Sequence, residues 1–516
     1  MSAETQRGSI LSRTAMGAGW MFAWRMTTRF LGLFSTLVLV RLLTPADFGL
    51  FSLAFAVIAT LETVLATGVE AQLIRARQTS RELYDTVFTM NIIRGVLLAL
   101  LMLALAAPAA TFFREPRLEP VILVLALIPL LGGVANVGVA EFSREMEFGK
   151  VFKLLIVPRL LQIVVTLVAA VLLHSHWALV FGAVAGRAVG TIFSYVFHPF
   201  RPRPCLQLWR ELIGISFWTW TISLAQALRD RMPTFVIGRT LSTRELGIYT
   251  VSHELASLPT SEIAGPITQA TMPGFAAALR SQDRHAIADA YTRILGISLL
   301  VCLPAALGLS LLAGPFVAIV LGNTWLETAT LITILAAGYA ALPISMIGTA
   351  LLDAQTKLRQ LLAFCILGIT LRAGAFIAVL TGHGLIGFTT GMALALVIEA
   401  ALLTAWCLDR LAVPFVRVAA VAWRPITAVA AMVAVLWGTG LGWADVPPDP
   451  ASGALAAAEG LLLGAGTFLG VLWSCWWLAK RPPGAEADLL SFARMILLRG
   501  PVTRLLPFTS RYLASR

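Results

Sequence analysis

Lone arginines recur near the middle of long apolar stretches: Arg25, Arg29, Arg94, Arg159 and Arg187 early in the chain, then Arg229, Arg231 and Arg372. An arginine at mid-membrane costs roughly 2.5–3.5 kcal/mol even on lenient insertion scales, so it faces a protein interior or a water-filled cavity. Counted at 1.5 Å per residue, Arg29, Arg94, Arg159 and Arg187 lie roughly 12–18 Å from the nearer end of their stretch. Arg25 and Arg29 are four apart and share one helix face. The acids of the same region, Glu62 and Glu70, are too few to neutralise five cations. The later region differs: Asp230, Glu254, Glu262 and Glu399, with His253, at least match its arginines. A guanidinium presents a planar fork of donors, so phosphate or pyrophosphate is the guest such a surplus attracts. The candidate diphosphate contacts are therefore Arg25, Arg29, Arg94, Arg187, Arg229 and Arg231. Glu62, Glu254, Glu262 and Glu399 are candidates for a coupling proton or sodium ion, because intramembrane carboxylates serve that purpose. The competing account is interhelical ion pairing, Arg372 with Glu399 and Arg94 with Glu62, while Arg159 after Pro158 could snorkel to the cytoplasmic side.

The elements that hold these residues follow from composition. The chain has 516 residues, 58% hydrophobic and 13% charged, with a mean hydropathy of +0.84. That is an all-α polytopic membrane protein with no room for a soluble catalytic domain. Spans are expected near 17–43, 48–74, 84–110, 119–140, 151–173, 177–198, 213–239, 246–272, 291–321, 325–352, 358–381, 385–408, 425–443 and 453–479. This makes about 14 helices, each near the 20 residues that a bilayer requires. Alternate loops carry the basic residues, among them Arg75, Arg77 and Arg81, then Arg144, Lys150 and Lys153, and later Arg410, Arg417 and Arg424. The positive-inside rule then puts both termini in the cytoplasm. The net charge of +12 belongs to those loops and to anionic lipid headgroups rather than to nucleic acid. The first span follows a polar start, lacks a small-residue cleavage site and carries Arg25 and Arg29, so it reads as a retained helix.

Other chemistry is sparse. Five scattered cysteines form no disulfide frame or CxxC pattern. His174-Ser175-His176 falls in a short external loop with no carboxylate nearby in sequence, a weak metal candidate. No nucleophile–base set, phosphate-cradling glycine loop or nucleotide motif appears, so no cofactor is expected and ATP is not the direct energy source. Pro129, Pro158, Pro233, Pro259, Pro266, Pro304 and Pro343 are hinge candidates, although membrane helices tolerate proline in packing roles.

An internal repeat orders the chain. The segment Arg41-Leu42-Leu43-Thr44-Pro45-Ala46-Asp47-Phe48-Gly49-Leu50-Phe51 is echoed 198 residues later by Arg239-Thr240-Leu241-Ser242-Thr243-Arg244-Glu245-Leu246-Gly247-Ile248-Tyr249. Each copy holds a capping box, Thr44 with Asp47 and Ser242 with Glu245. The interval contains an even number of spans, so the halves are parallel repeats about an axis along the membrane normal. The expected organisation is two six-helix lobes, 1–200 and 201–410, two further helices within 411–480 and a basic cytoplasmic tail over 481–516.

The segment from Arg41 to Gly49 resembles the signature after the first helix of polysaccharide flippases, the oligosaccharide-lipid exporters of the multidrug/oligosaccharidyl-lipid/polysaccharide superfamily. Leu50 to Ile74, with Gly68, and Glu141-Phe142-Ser143-Arg144-Glu145-Met146-Glu147-Phe148 are also similar to that family. The resemblance implies two lobes that open alternately to each side of a bacterial inner membrane. It implies an undecaprenyl-diphosphate-linked oligosaccharide as cargo, for O-antigen, capsule or exopolysaccharide synthesis, and the polysaccharide polymerase and chain-length machinery as partners. In related lipid II flippases, first-helix arginines are implicated in diphosphate binding, a role the resemblance passes to Arg25 and Arg29. A multidrug cation exporter of the same superfamily would want an acidic or aromatic cavity. A polymerase or ligase would want a large periplasmic loop.

Overall fold

In an apolar surrounding only a helix satisfies its own backbone N–H and C=O groups along a single segment. The computed structural model describes residues 3–66, 68–69, 73, 80–212, 217–280, 284–355, 357–411, 413–447, 449–481 and 484–487, and among these no strand occurs. Glu70, Arg75, Arg77 and the tail arginines from Arg494 onward lie outside the described residues. The chain divides into two compact units, Met1–Val251 and Ser252–Arg516.

The first unit contains α1 (Ala3–Leu42), α2 (Pro45–Val64), α3 (Arg81–Phe113), α4 (Leu118–Leu125), α5 (Leu127–Gly133), α6 (Ala140–Arg144), α7 (Phe148–Leu173), α8 (Trp177–Phe197), α9 (Trp209–Leu212) and α10 (Phe217–Thr240). Helix α11 (Thr243–Arg280) runs across the division. The second unit continues with α12 (Arg284–Leu311), α13 (Ala313–Val320), α14 (Glu327–Tyr339), α15 (Leu342–Ala354), α16 (Leu358–Leu380), α17 (Gly384–Leu411), α18 (Phe415–Gly438) and α19 (Pro450–Leu478).

Among the described residues, 9 helices are long and apolar enough to cross a membrane, and up to 11 spans result if each bent pair counts as one. Helices α1, α10 and α11 are not among them. They carry Arg25 and Arg29, Arg229 to Arg231, and His253, Glu254 and Glu262, so the charges that mark candidate function also lower their hydropathy. Two predicted spans are broken rather than straight. Leu118–Gly133 and Val137–Arg144 meet at 64°, and α14 meets α15 at 41°. Pro343 stands in the first turn of α15, where its missing N–H costs nothing. Pro158, Pro233 and Pro304 instead sit inside continuous helices.

The span expected over 48–74 is also shorter, since α2 ends at Val64. The indole of Trp220 on α10 donates to the Val64 carbonyl at 3.1 Å, satisfying one of the acceptors that a helix end exposes. Beyond it, Gly68 adopts φ +65°, a conformation that glycine takes without a Cβ penalty.

Both capping boxes form. Asp47 accepts from Thr44 N at 3.0 Å while Thr44 Oγ1 accepts from Asp47 N at 3.4 Å. Ser242 and Glu245 repeat the exchange at 2.9 and 3.2 Å. The two repeat copies touch. A Cβ on Gly49 would collide with the Thr243 carbonyl, and one on Gly247 with the Pro45 carbonyl, so only glycine permits this crossing of α2 and α11.

The second unit packs α12, α18 and α19 around Leu300, Leu311, Ala428, Val429, Met432, Leu436 and Phe468, and the same cluster includes Ala485. The sequence reading put Arg424 in a cytoplasmic loop and residues from 481 in a basic tail. Arg424 is instead a buried residue of α18, ion-paired at 3.2 Å to buried Glu486. Ala485 and Glu486 therefore pack back onto the helices. Leu461, Leu462, Leu469, Trp473 and Trp477 of α19 stay exposed, an apolar face suited to lipid.

Candidate functional site

Helices α2, α3, α5 and α8 enclose a polar cavity of about 40 Å³ in the first unit, room for a few waters. Its charged lining is Glu62 from the last turn of α2, Arg94 from α3 and Arg187 from α8, beside Asn91, Gly95, Gly132 and Gly133. Close helix approach makes this possible. A Cβ on Gly133 would lie 2.7 Å from the Asn91 carbonyl oxygen, so α3 and α5 nearly touch through their backbones. A Cβ on Gly132 would fall on the Arg187 guanidinium, so that glycine holds open the place where the cation lies. Gly132-Gly133 is thus a means of admitting an arginine as well as a packing device.

Two cations face one carboxylate, a net charge of +1 when all are ionised. None of the three forms an ion pair among the described residues, in contrast to Arg372 and Glu399 at 2.6 Å. The pairing of Arg94 with Glu62 that sequence suggested is replaced by a shared cavity, with Arg187 as a third member.

For Arg159 the sequence offers snorkelling to the cytoplasmic side as an alternative to burial. Its guanidinium instead reaches across to α1, where a Cβ on Gly32 would lie 3.3 Å from Nη2, one turn from Arg29. Arg159 Nη1 donates to Gln162 Oε1 at 3.2 Å. Gln162 in turn lies against Gly186, whose Cβ would be 2.8 Å from its own, and Gly186 precedes Arg187. Arg159 and Gln162 of α7 thus lie against glycines of α1 and α8. The available signal was the glycine spacing on α1 and α8, which depth counting ignores.

The other predicted residues fall elsewhere. Arg25, Arg29, Arg229 and Arg231 are half-buried and are not among the residues lining this cavity. Arg229 Nε pairs with the adjacent Asp230 at 3.0 Å. In the second unit Glu399 is held by Arg372, both buried, and Arg372 also donates to the Gly368 carbonyl at 2.9 Å. Glu254 and Glu262 are half-buried on α11, and neighbouring His253 hydrogen-bonds Tyr339 of α14. The histidine loop does have a carboxylate beside it: Asp47 Oδ1 accepts from His176 N at 2.9 Å and lies 3.4 Å from His176 Nδ1. Asp47 is therefore a structural tie between the cap of α2 and the loop before α8. Glu141, from the motif after the fourth predicted span, contacts His198 Nε2 at 3.0 Å, and Asn136 donates to the His198 and Phe200 carbonyls. These motif residues hold the loops in place and do not line the cavity.

Residues 38–330, more than half the chain, match the polysaccharide biosynthesis protein family. The chain belongs to that family. An uncharacterized membrane protein in the cps region of Klebsiella pneumoniae is 23% identical over 400 residues, covering 76% of this chain and 82% of that one. The lipopolysaccharide biosynthesis protein WzxC of Escherichia coli K12 is 24% identical over 325 residues, and the match spans 65% of its length and 61% of this chain. Among solved structures, the fold is similar to the lipid II flippase MurJ in an inward closed conformation. There the TM-score is 0.69 at 12% identity, with 89% of this chain and 100% of that chain covered. Family membership thus rests on the segment that includes the whole Arg41–Gly49 signature, the cavity arginines and the second repeat copy.

Proposed function

We propose that the protein is a flippase that carries an undecaprenyl-diphosphate-linked oligosaccharide across the bacterial inner membrane for polysaccharide synthesis. The observation that carries this reading is the cavity itself. Two arginines, Arg94 and Arg187, line it without ion pairs among the described residues. A net positive cavity suits a diphosphate and is a poor host for a cationic drug. The family match, and relatives named for lipopolysaccharide synthesis and lipid II flipping, support the same cargo class.

In this reading the lobes over residues 1–200 and 201–410 rock about the repeat axis, with both termini cytoplasmic. Arg25, Arg29, Arg229 and Arg231 meet the diphosphate along its path, and Arg94 and Arg187 hold it. With Glu399 engaged by Arg372, a coupling proton or sodium ion falls to Glu254 or Glu262. A cation that prefers one state drives alternating access through its differential affinity. Delivery to a polymerase and its chain-length partners follows on the periplasmic side.

The test is flipping of a lipid-linked oligosaccharide in proteoliposomes, with and without an imposed proton or sodium gradient. The wild-type chain is expected to flip, Arg187→Ala to lose most activity at unchanged protein abundance, and Glu254→Gln to flip without responding to the gradient. Full activity of Arg187→Ala would end the assignment of the cavity. Equal wild-type rates with and without a gradient would end the coupling role.

A further inference from the structure

We propose that Glu62 is a resident counter-anion of the cavity, a carboxylate that competes with the diphosphate for Arg94 and Arg187 and so lets the cargo leave. This rests on the reading of the cavity as the diphosphate site. Three observations carry it. First, Glu62 lines the same small space as both arginines, so it shares their field whether or not cargo is present. Second, it forms no ion pair among the described residues, whereas Arg372 Nη1 donates to Glu399 Oε2 at 2.6 Å. A carboxylate meant to lock a bundle would sit as Glu399 does. Third, its position is two residues from the end of α2, on a turn whose last carbonyl is held by Trp220, so its backbone is tied from outside the cavity.

The physical need is clear. Two guanidiniums facing a dianion in a low-dielectric space attract it strongly, and a transporter that binds its cargo too well cannot release it. A fixed negative charge beside them weakens the complex and compensates the cations after the cargo departs. The rest of the lining is Asn91, Leu98, Pro129 and three glycines, so among the described residues no other acid in the cavity lining performs this compensation.

The experiment uses the full chain in nanodiscs with inorganic pyrophosphate as probe, alongside flipping of lipid-linked oligosaccharide in proteoliposomes. Glu62→Gln, which keeps the shape and removes the charge, is expected to bind pyrophosphate about tenfold more tightly while flipping more slowly. Glu62→Asp, with its charge withdrawn by one methylene, should fall between, and serves if the glutamine variant folds poorly. Unchanged or weaker pyrophosphate binding by Glu62→Gln overturns the proposal, and so does tighter binding with unaltered flipping, which would assign the cavity to free phosphate anions. If Arg94→Ala weakens pyrophosphate binding while Glu62→Gln leaves it unchanged, only the counter-anion role falls. If neither wild type nor Glu62→Gln binds pyrophosphate, the diphosphate reading falls with it.

Discussion

The two units use the same residue types in opposite ways. In the second, Arg372 and Glu399 meet at 2.6 Å and Arg424 and Glu486 at 3.2 Å, all four buried. In the first, Arg94, Arg187 and Glu62 stand around a cavity with no ion pair among the described residues. Mid-membrane charge alone therefore does not mark a site. A closed pair has spent its electrostatic interaction on the fold, whereas an open cation keeps it for a ligand.

The largest effect that would break this comparison is expected at Arg372. Arg372→Ala leaves Glu399 buried and unpaired, and should cost about 3–5 kcal/mol of stability. Removing both charges, as Arg372→Met with Glu399→Leu, should recover most of that, since replacing a buried pair by packed apolar groups is often neutral. Thermal unfolding in detergent reads both variants. A single substitution without cost would show that the pair is not structural.

Arg94→Ala should behave in the reverse way, with stability changed by no more than about 0.5 kcal/mol. Pyrophosphate binding by the same variant should weaken about tenfold to a hundredfold, the range for losing a charge-assisted contact. If Arg94→Ala destabilises as much as Arg372→Ala, the distinction between the units collapses.

The smallest effect belongs to a third kind of pair, at the surface. Arg117 donates to both carboxylate oxygens of Glu115, at 2.8 and 2.9 Å, and Thr243 adds a bond at 3.3 Å. The Arg117 hydrogen bonds, chiefly, hold the Glu115 carboxyl below its usual range. A depressed folded pKa means stability that is present above the ordinary carboxylate value of 4.5 and lost as pH falls through the lower folded value. Solvent screening keeps this contribution below about 1 kcal/mol. Melting curves from pH 6 down to about pH 3 should therefore fall slightly less steeply for Arg117→Ala than for wild type. An identical acid slope would show that the pair contributes nothing.

What was legible in the sequence follows the range of each interaction. The capping boxes at Thr44–Asp47 and Ser242–Glu245 are four-residue patterns, and both form. Arg372 with Glu399 was readable because α16 and α17 are consecutive helices joined by a short turn. The cavity was only half visible. Glu62, Arg94 and Arg187 come from three helices, and which of them converge depends on tertiary packing through Gly95, Gly132 and Gly133. The contact of Arg159 with α1 was not legible, because depth says nothing about direction and the contact depends on the bare surface at Gly32. Arg424 was assigned to a loop because a hydropathy window ends a span at a charge, and its partner Glu486 lies beyond the last predicted helix. The bend at residues 339–342 had a local signal in Pro343, a hinge candidate, whereas the bend at 133–137 falls four residues beyond the nearest candidate, Pro129.

The reciprocal contact of Gly49 and Gly247 has a consequence for how this chain can change. Position 49 meets the carbonyl at 243, and position 247 meets the carbonyl at 45, each pair being the other's image under the 198-residue repeat. Such a contact is isologous, the self-complementary form that a two-fold homodimer uses, here enclosed in one polypeptide. A side chain added to either copy collides with backbone of the other, which cannot move aside as a flexible side chain would. Each copy is consequently held to glycine at this crossing by the main chain of its twin, whatever side chains the twin carries.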